Sequence, residues 1–474
     1  MPIALPDEVI QLCRIIESEG GRALLVGGYV RDQMLGIASK DCDIEVYGVQ
    51  PDRLRAILQD IGPVNAVGER FTVYKLVLSK PDNQRHSSRD RYEVDVSLPR
   101  RETKTGRGHK GFLVEGDPAM FIQDAARRRD FTINAVLFDP LTGQTLDPFN
   151  GLADLQNRIL RAVSAETFVE DSLRVLRAMQ FAARFEMTIE PSTLTLCRSI
   201  ELNDLPKERI WGEFEKLFTK ADRPSIGLRA ALELGILDRL FPEIRALVDC
   251  PQDSDLHPEG DVFTHVALSL DQAVEAASEL PTEKRLAVML AVLCHDFGKP
   301  STTKICEGKV TSAGHDEAGG EPSRSVLNRL GLHTLSGYDV RSQVLSLVRE
   351  HLRPSQYFDR RGSSTDGAIR RLACRVDIDL LYRVAKADAL GRGPAASSEA
   401  PDWFISRARD LGVDNGPLPP LLLGRHLLEA GVNPGPKIGE VLRRVYELQL
   451  DEEVNTGEEA LTAGLTLIKQ DSTS

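Results

Sequence analysis

No C-x-x-C pair occurs among the seven cysteines, Cys13, Cys42, Cys197, Cys250, Cys294, Cys306 and Cys374, and their number is odd. A disulfide framework is therefore excluded as the organising device, and reduced thiols filling the core are expected. No stretch reaches the ~18 uninterrupted apolar residues of a membrane span. The start, MPIALPDEVIQLCRIIESEGG, lacks the basic opening, apolar run and small-residue cleavage site of a secretory leader, so a cytoplasmic protein without membrane contact is expected. Positive charge is in deficit: a net charge of −12 argues against indiscriminate coating of nucleic acid, which rests on phosphate neutralisation by Lys and Arg. There is no internal repeat, no G-x-G-x-x-G and no P-loop, since DFGKP lacks both the first glycine and a Ser/Thr after Lys299. What is present is ordinary for a soluble globular chain: 474 residues, 41% hydrophobic and 27% charged, enough for three or four domains.

The first 150 residues mix β-type runs (RALLVGG, DCDIEVYG, FTVYKLVL, RYEVDVSL, TINAVLFDP) with helical segments near 8–19, 51–60 and 117–128, an α+β head. From about residue 165 the apolar period becomes helical. The spacing predicts an all-helical neck over 151–250, a second helical region over 251–395 after the break LVDCPQDSDLHPEGD, and a helical tail over 396–474 after GRGPAASSEAPD.

Within KDCDIEVYG, Asp41 and Asp43 stand at i and i+2 and so share one face of a strand, with Cys42 pointing away. Two carboxylates on one face repel unless a cation sits between them, and Mg²⁺ is the natural partner because it binds through one or two carboxylates plus substrate phosphates. A pair of such ions held by a third carboxylate serves in-line phosphoryl displacement. Glu93 and Asp95 in YEVDVSLPR offer that third group, and Asp95, nearest the basic exit, is favoured. A bare D-x-D is also what a strand edge uses to bond nearby backbone. Upstream, VGGYVRD ends a strand in Gly27-Gly28, letting backbone N–H groups approach a phosphate that Arg31 could clamp.

Three motifs in succession, LLVGGYVRDQMLGIASKDCDIEVYG, RRRDFTINAVLFDP and EDSLRVLRAMQFAARF, closely resemble those of the bacterial-type tRNA nucleotidyltransferase and poly(A) polymerase family, a branch of the polymerase-β-like nucleotidyltransferases. The resemblance implies that Asp41 and Asp43 bind catalytic Mg²⁺, that Gly28 and Arg31 contact the incoming triphosphate, and that Arg129, Asp130 and Asn134 handle its ribose and phosphates. As an alternative, Asp130 and Asn134 could simply cap the turn between helix and strand.

Asp171, Arg174 and Arg177 recur at three-residue steps, one stripe of a helix, and would by themselves pass for a solvated salt-bridged face. A carboxylate and a guanidinium together offer the acceptor and donors that read cytosine or adenine. The resemblance implies that use: Asp171 and Arg174 as a protein template for CTP and ATP, with Arg177 supporting the triphosphate. Gln180 stands where many relatives carry a further arginine, and it is not a site candidate. The basic loop RRETKTGRGHKGF, five Lys/Arg against one acid from Arg100 to Lys110, looks like the flexible loop such enzymes use when switching to adenosine.

Six of the nine histidines fall between 257 and 351. His295 and Asp296 close an apolar helical run, with His265 upstream and His315, His351 and Asp388 downstream, a donor set suited to Mn²⁺, Fe²⁺, Co²⁺ or Ni²⁺. The pattern FTHV, CHDFGK, GHDEAG, REHLRP and KADALGR resembles the HD phosphohydrolase superfamily. That likeness implies His265, His295, Asp296 and Asp388 as metal ligands, with His315 and His351 extending the site. The tail resembles the C-terminal region of the transferase family, with Arg425, Lys437, Arg443 and Arg444 as candidate phosphate contacts on RNA.

The expected activity is addition of CMP and AMP to the 3′ end of tRNA, beside a second metal-dependent phosphohydrolase site and with no protein partner implied. The rivals are an enzyme that adds only A, a poly(A) polymerase, and, in another class, an HD phosphohydrolase or RNA repair protein whose transferase head is secondary.

Overall fold

The segment DEVIQLCRIIES places Val9, Leu12, Cys13 and Ile16 at helical spacing, and in the computed structural model these residues form the buried stripe of helix α1 (Asp7–Ser18). The structure describes residues 5–38, 42–67, 73–79, 91–104, 112–361 and 365–470. The chain divides into two units, Met1–Glu213 with Ile226–Leu240, and Phe214–Ser225 with Phe241–Ser474. Among the described residues no helix is long and apolar enough to cross a membrane.

In the first unit, β1 (Arg22–Leu25) runs into the glycine corner and α2 (Gly28–Met34), followed by β2 (Cys42–Tyr47) and α3 (Pro51–Ile61). Next come β3 (Val64–Val67), β4 (Val73–Ser79) and β5 (Arg91–Ser97). The sheet has the order β3-β4-β5-β2-β1 and then β8 (Leu137–Phe138) and β9 (Thr145–Leu146), which lie after the hairpin of β6 (Arg100–Lys104) and β7 (Phe112–Gly116) and the helix α4 (Ile122–Arg127). Strand alternation sends Cys42, Ile44, Val46, Leu76, Val94 and Val96 into one core with α1 and α3, and leaves Asp43, Glu45, Lys75 and Asp95 on the opposite face. The β2–β5 pair is parallel, and its neighbours in the sheet are antiparallel.

Two expectations change here. The basic segment after Arg100 is not all loop, because β6 and β7 pair from Arg100↔Gly116 to Lys104↔Phe112; residues 105–111 lie outside the described residues. TINAVLFDP, read as a strand from its β-branched run, instead forms a 3₁₀ turn at Thr132–Asn134 and a strand only at Leu137–Phe138. Side-chain bonds to Thr132 and Asn134, described below, outweigh local propensity. The neck-like segment then continues with α5 (Gly151–Gln156), α6 (Ala165–Phe168), α7 (Leu173–Arg184) and α8 (Pro191–Ser199).

The second unit is almost wholly helical. Asp261, Asp339 and Asp377 each cap a helix by accepting the backbone N–H three residues on, opening the helices Val262–Ala276, Val340–Glu350 and Ile378–Leu390. The helix Thr282–Cys294 is buried all round over its last nine residues, which makes it the central element of this unit's core. The tail packs the helices Pro436–Leu450 and Gly457–Gln470 through Val441, Val445 and Ala460.

Candidate active sites

On the polar face of the sheet the register sets Asp43 directly beside Asp95. Lys75, paired with Asp95 across β4 and β5, brings its Nζ to 3.8 Å from the Asp95 carboxylate. Asp41 lies outside the described residues. Gly27, at φ +69°, turns the chain from β1 into α2; a β-carbon there would lie 2.9 Å from Arg129 Nη1 and 3.5 Å from Asp43 Oδ2. Arg129 therefore shares this face with Asp43, and its Nη2 lies 3.7 Å from Glu45 Oε1. Sequence reasoning named the Gly27-Gly28 pair at this strand end but gave the triphosphate contact to Gly28 alone, whereas the positive φ that turns the strand into the helix falls on Gly27. Adjacent carboxylates with a lysine and an arginine beside them fit a divalent cation and the phosphates it would carry.

Arg31 is 4% exposed and faces protein. Its Nε and Nη2 donate to Asp32 Oδ1 at 2.8 and 2.6 Å, its Nη1 donates to Asn134 Oδ1 at 2.6 Å, and the rings of Phe181 and Phe185 cover it. Asn134 Nδ2 in turn donates to Asp130 Oδ1 at 2.8 Å, while Arg177 holds Asp130 Oδ2 at 2.7 Å and Arg184 reaches Asp32 Oδ2 at 3.3 Å. Thr132 donates to Asp154 at 2.7 Å, fixing the other end of the 3₁₀ turn. Burial alone would push the Asp130 carboxyl up, yet Arg177, Asn134 and the Phe131 N–H hold it below the usual carboxylate range. The run Arg184, Asp32, Arg31, Asn134, Asp130, Arg177 thus ties α2, the 3₁₀ turn and α7 together. Three residues assigned to the triphosphate and ribose from sequence, Arg31, Asp130 and Asn134, are engaged with one another, and so is Arg177.

The expected stripe on α7 is also rearranged. The helix begins at Leu173, so Asp171 stands in the turn before it, where its Oδ1 accepts the Leu173 N–H at 3.1 Å and its Oδ2 pairs with Arg209 at 3.2 Å. Arg174 donates to the carbonyls of Thr167 and Arg128, both at 2.7 Å, which holds its guanidinium at the end of α4, one residue from Arg129. Gln180 is 1% exposed, and neither its Oε1 nor its Nε2 has a hydrogen-bond partner among the described residues.

The second unit gathers all six of its singled-out residues. His265 comes from the first turns of Val262–Ala276, His295 and Asp296 follow Thr282–Cys294, His315 opens a short turn of helix, His351 follows Val340–Glu350, and Asp388 lies near the end of Ile378–Leu390. His265 Nε2 is 3.0 Å from Asp388 Oδ1, and Asp296 Oδ2 is 3.2 Å from His295 Nε2 and 2.8 Å from Lys299 Nζ. On its other side Asp296 Oδ1 is 3.4 Å from His315 Nε2, which lies 3.3 Å from His351 Nε2. The Nδ1 atoms of His295, His315 and His351 are each 2.7 Å from a backbone carbonyl, so they carry the protons and leave three Nε2 lone pairs turned inward. Facing lone pairs with no proton between them, and a buried His295 Nε2 without a hydrogen bond among the described residues, fit a metal. Ligand atoms of His265, His295 and Asp296 lie within 4.8 Å of one another, and so do those of Asp296, His315 and His351. One carboxylate therefore serves two ligand groups.

Burial drags His265 toward neutrality, but hydrogen bonds to Asp388 and Glu259 push it up to about 9. Burial and His295 bring His351 down to about 4, leaving it neutral and ready as a ligand. Gly298 lets the Asp296 turn lie against His315: a β-carbon at 298 would come 2.1 Å from the His315 carbonyl oxygen and 2.7 Å from Gly319 N. Sequence reasoning missed the outer partners of this site, His257, Glu259, Gln252 and Lys299. Lys299 Nζ donates to Gln252 Oε1 at 2.6 Å as well as pairing with Asp296. In the tail, Arg425, Lys437, Arg443 and Arg444 are all exposed.

Comparison with known proteins agrees with this division of labour. Residues 23–161 match the poly A polymerase head domain, 186–247 the probable RNA and SrmB-binding site of polymerase A, and 262–392 the HD domain. The chain is 38% identical over 317 residues to the multifunctional CCA protein of Mannheimia succiniciproducens, covering 65% of this chain and 70% of that one. To the multifunctional CCA protein of Xanthomonas campestris pv. campestris it is 33% identical over 435 residues, 88% of this chain and 95% of that one. A CCA-adding enzyme in complex with CTP has the same fold, with a TM-score of 0.64 at 20% identity over 98% of this chain and 96% of that chain. The Thermotoga maritima CCA-adding enzyme complexed with tRNA gives 0.62 at 19% identity, over 98% and 96%. With the polymerase head and the HD domain on one chain and a relative matched over nearly its whole length, the protein belongs to the multifunctional CCA protein family, the HD-bearing branch of the tRNA nucleotidyltransferases and poly(A) polymerases.

Proposed function

We propose that this chain adds CMP and AMP from CTP and ATP to the 3′ end of tRNA without a nucleic-acid template, in the cytoplasm, and that its HD site is a metal-dependent phosphohydrolase. The observation that carries the transfer reading is the parallel register that sets Asp43 beside Asp95, with Arg129 on the same face. In this reading Asp41, Asp43 and Asp95 would hold Mg²⁺, which when bound would supply acidification of the attacking ribose hydroxyl and charge neutralisation at the pyrophosphate. Arg129 orients the phosphates. Asp171 and Arg174 select the base through an acceptor and a donor fork, and the Arg31, Asn134, Asp130 and Arg177 run fixes the walls against which they work. Exposed Arg425, Lys437, Arg443 and Arg444 contact tRNA phosphates. The functional parts are a head at 1–150, a neck at 151–250, an HD domain at 251–395 and a tail at 396–474.

At the HD site His265, His295, Asp296 and Asp388 would hold a first transition metal (Ni²⁺, Mn²⁺, Co²⁺ or Fe²⁺), and His315 and His351 with the shared Asp296 could hold a second. A metal so bound would supply Lewis-acid activation of water for hydrolysis at neutral pH. Lys299, itself bonded to Gln252, fixes the Asp296 carboxylate. An incubation of tRNA ending before CCA, or after CC, with CTP and ATP offered separately tests the transfer reading. The wild-type chain extends the first with CTP and the second with ATP, whereas Asp43→Asn extends neither. Growth of long A tails, or addition of A alone, would replace this reading with one of its rivals.

A further inference from the structure

The histidines of the HD site solve one problem in two ways. A ligand imidazole must place its proton on the outward nitrogen, and at a helix C-terminus the last carbonyls lack intrahelical partners and can accept it. His295 and His351 stand at such ends and use Val292 O and Val348 O. His265 sits in the opening turns of its helix, where carbonyls are already committed, and needs an acceptor from elsewhere. It finds Glu259: the Nδ1 of His265 is 2.7 Å from Glu259 Oε1, and the Nδ1 of His257 reaches the same oxygen at 2.8 Å. The Glu259 side chain is 3% exposed, and its Oε2 has no hydrogen-bond partner among the described residues. The hydrogen bonding of this carboxylate is thus spent on two histidines. Both Glu259 and His257 precede the segment matched to the HD domain, 262–392, so the domain's own pattern does not include them.

We propose that Glu259 is the positioning residue of the first HD metal ligand, holding the His265 ring with Nε2 turned toward Asp388 and lending its negative charge through the imidazole to the bound cation. The proposal rests on the HD metal-site reading above. Glu259 touches neither substrate nor metal, and His257 keeps its carboxylate in place. A staple that merely closed the 251–260 loop would have no reason to act on metal affinity; a carboxylate, imidazole and cation relay does.

The test is titration of the full chain with Co²⁺, followed by visible absorption and by calorimetry, on wild type, Glu259→Ala and Glu259→Gln. The glutamine keeps an oxygen for the His265 N–H and removes the charge. Expected are about 10- to 100-fold weaker binding with an altered visible spectrum in Glu259→Ala, and an intermediate loss in Glu259→Gln. Far-UV circular dichroism reports whether each variant folds, and if Glu259→Ala does not, the near-isosteric glutamine decides. Wild-type affinity and an unchanged spectrum in a folded variant overturn the proposal. A wild-type chain that binds no Co²⁺ overturns the metal-site reading itself, and this proposal with it.

Discussion

Asn134 is held with fixed polarity: its Oδ1 accepts from Arg31 at 2.6 Å and its Nδ2 donates to Asp130 Oδ1 at 2.8 Å. Asn134→Asp keeps the shape and reverses the second contact, setting carboxylate oxygen against carboxylate oxygen at that distance. At an effective dielectric constant of about 20 the repulsion is ~6 kcal/mol, and the stronger attraction to Arg31 returns part of it, leaving a loss of about 3–5 kcal/mol. For a unit of this size each kcal/mol moves the melting temperature by about 2–4 °C, so a fall of roughly 8–15 °C is expected by calorimetry at neutral pH. The added carboxyl, facing Asp130, has a raised pKa in the folded state, so its penalty is full at neutral pH and eases as pH falls and it protonates. Asp130→Asn combined with Asn134→Asp removes the facing charges and should melt above Asn134→Asp alone, a departure from additivity that only a direct contact produces. A single variant melting within about 2 °C of wild type would refute the polarity assigned to Asn134 and the relay built on it.

His295→Ala with Asp296→Ala should abolish metal-dependent phosphohydrolase activity while CTP and ATP addition to tRNA continues; loss of both would sink the two-site account. Glu190 caps α8 by accepting from the Thr193 N–H and both the Ser192 and Thr193 hydroxyls, which against the effect of burial bring it down to about 2. Because the folded pKa is depressed, its contribution is complete above the unfolded value near 4.5 and is lost as pH falls toward 2. The stability gap between wild type and Glu190→Gln should therefore shrink by about 1–3 kcal/mol over that window in urea titrations, and a constant gap would contradict the cap. Gln180→Met exchanges a buried amide with no hydrogen-bond partner among the described residues for an apolar chain of similar length. It should raise stability by about 1 kcal/mol or more, and a lowered melting temperature would show that the amide is satisfied.

The strands of the head were legible because alternation has one reading: with Ile44 and Val46 in the core, Asp43 must face away. The cluster around His295 was legible for another reason, since imidazoles and carboxylates at the end of an apolar helix have few other uses. Arg31, Asp130 and Asn134 were not, because a motif names the residue types and leaves open whether a guanidinium faces a ligand or a neighbouring carboxylate. Thr132 to Val136 read as strand by propensity, and the bonds of Thr132 to Asp154 and of Asn134 to Asp130 overrode it. Glu259 was hidden in a segment rich in Pro, Gly and Asp that reads as linker, six residues from the histidine it serves.

The glycine of CHDFGK carries a further consequence. No side chain fits between residue 298 and the carbonyl of His315, so that glycine sets how far apart the two halves of the HD site stand. Asp296 reaches both halves with its two oxygens, and a β-carbon at 298 could be accommodated only by shifting the backbone at His315 or Gly319. Position 298 is thus a spacer: without a β-carbon there, one carboxylate can face His295 on one side and His315 on the other at the distances observed.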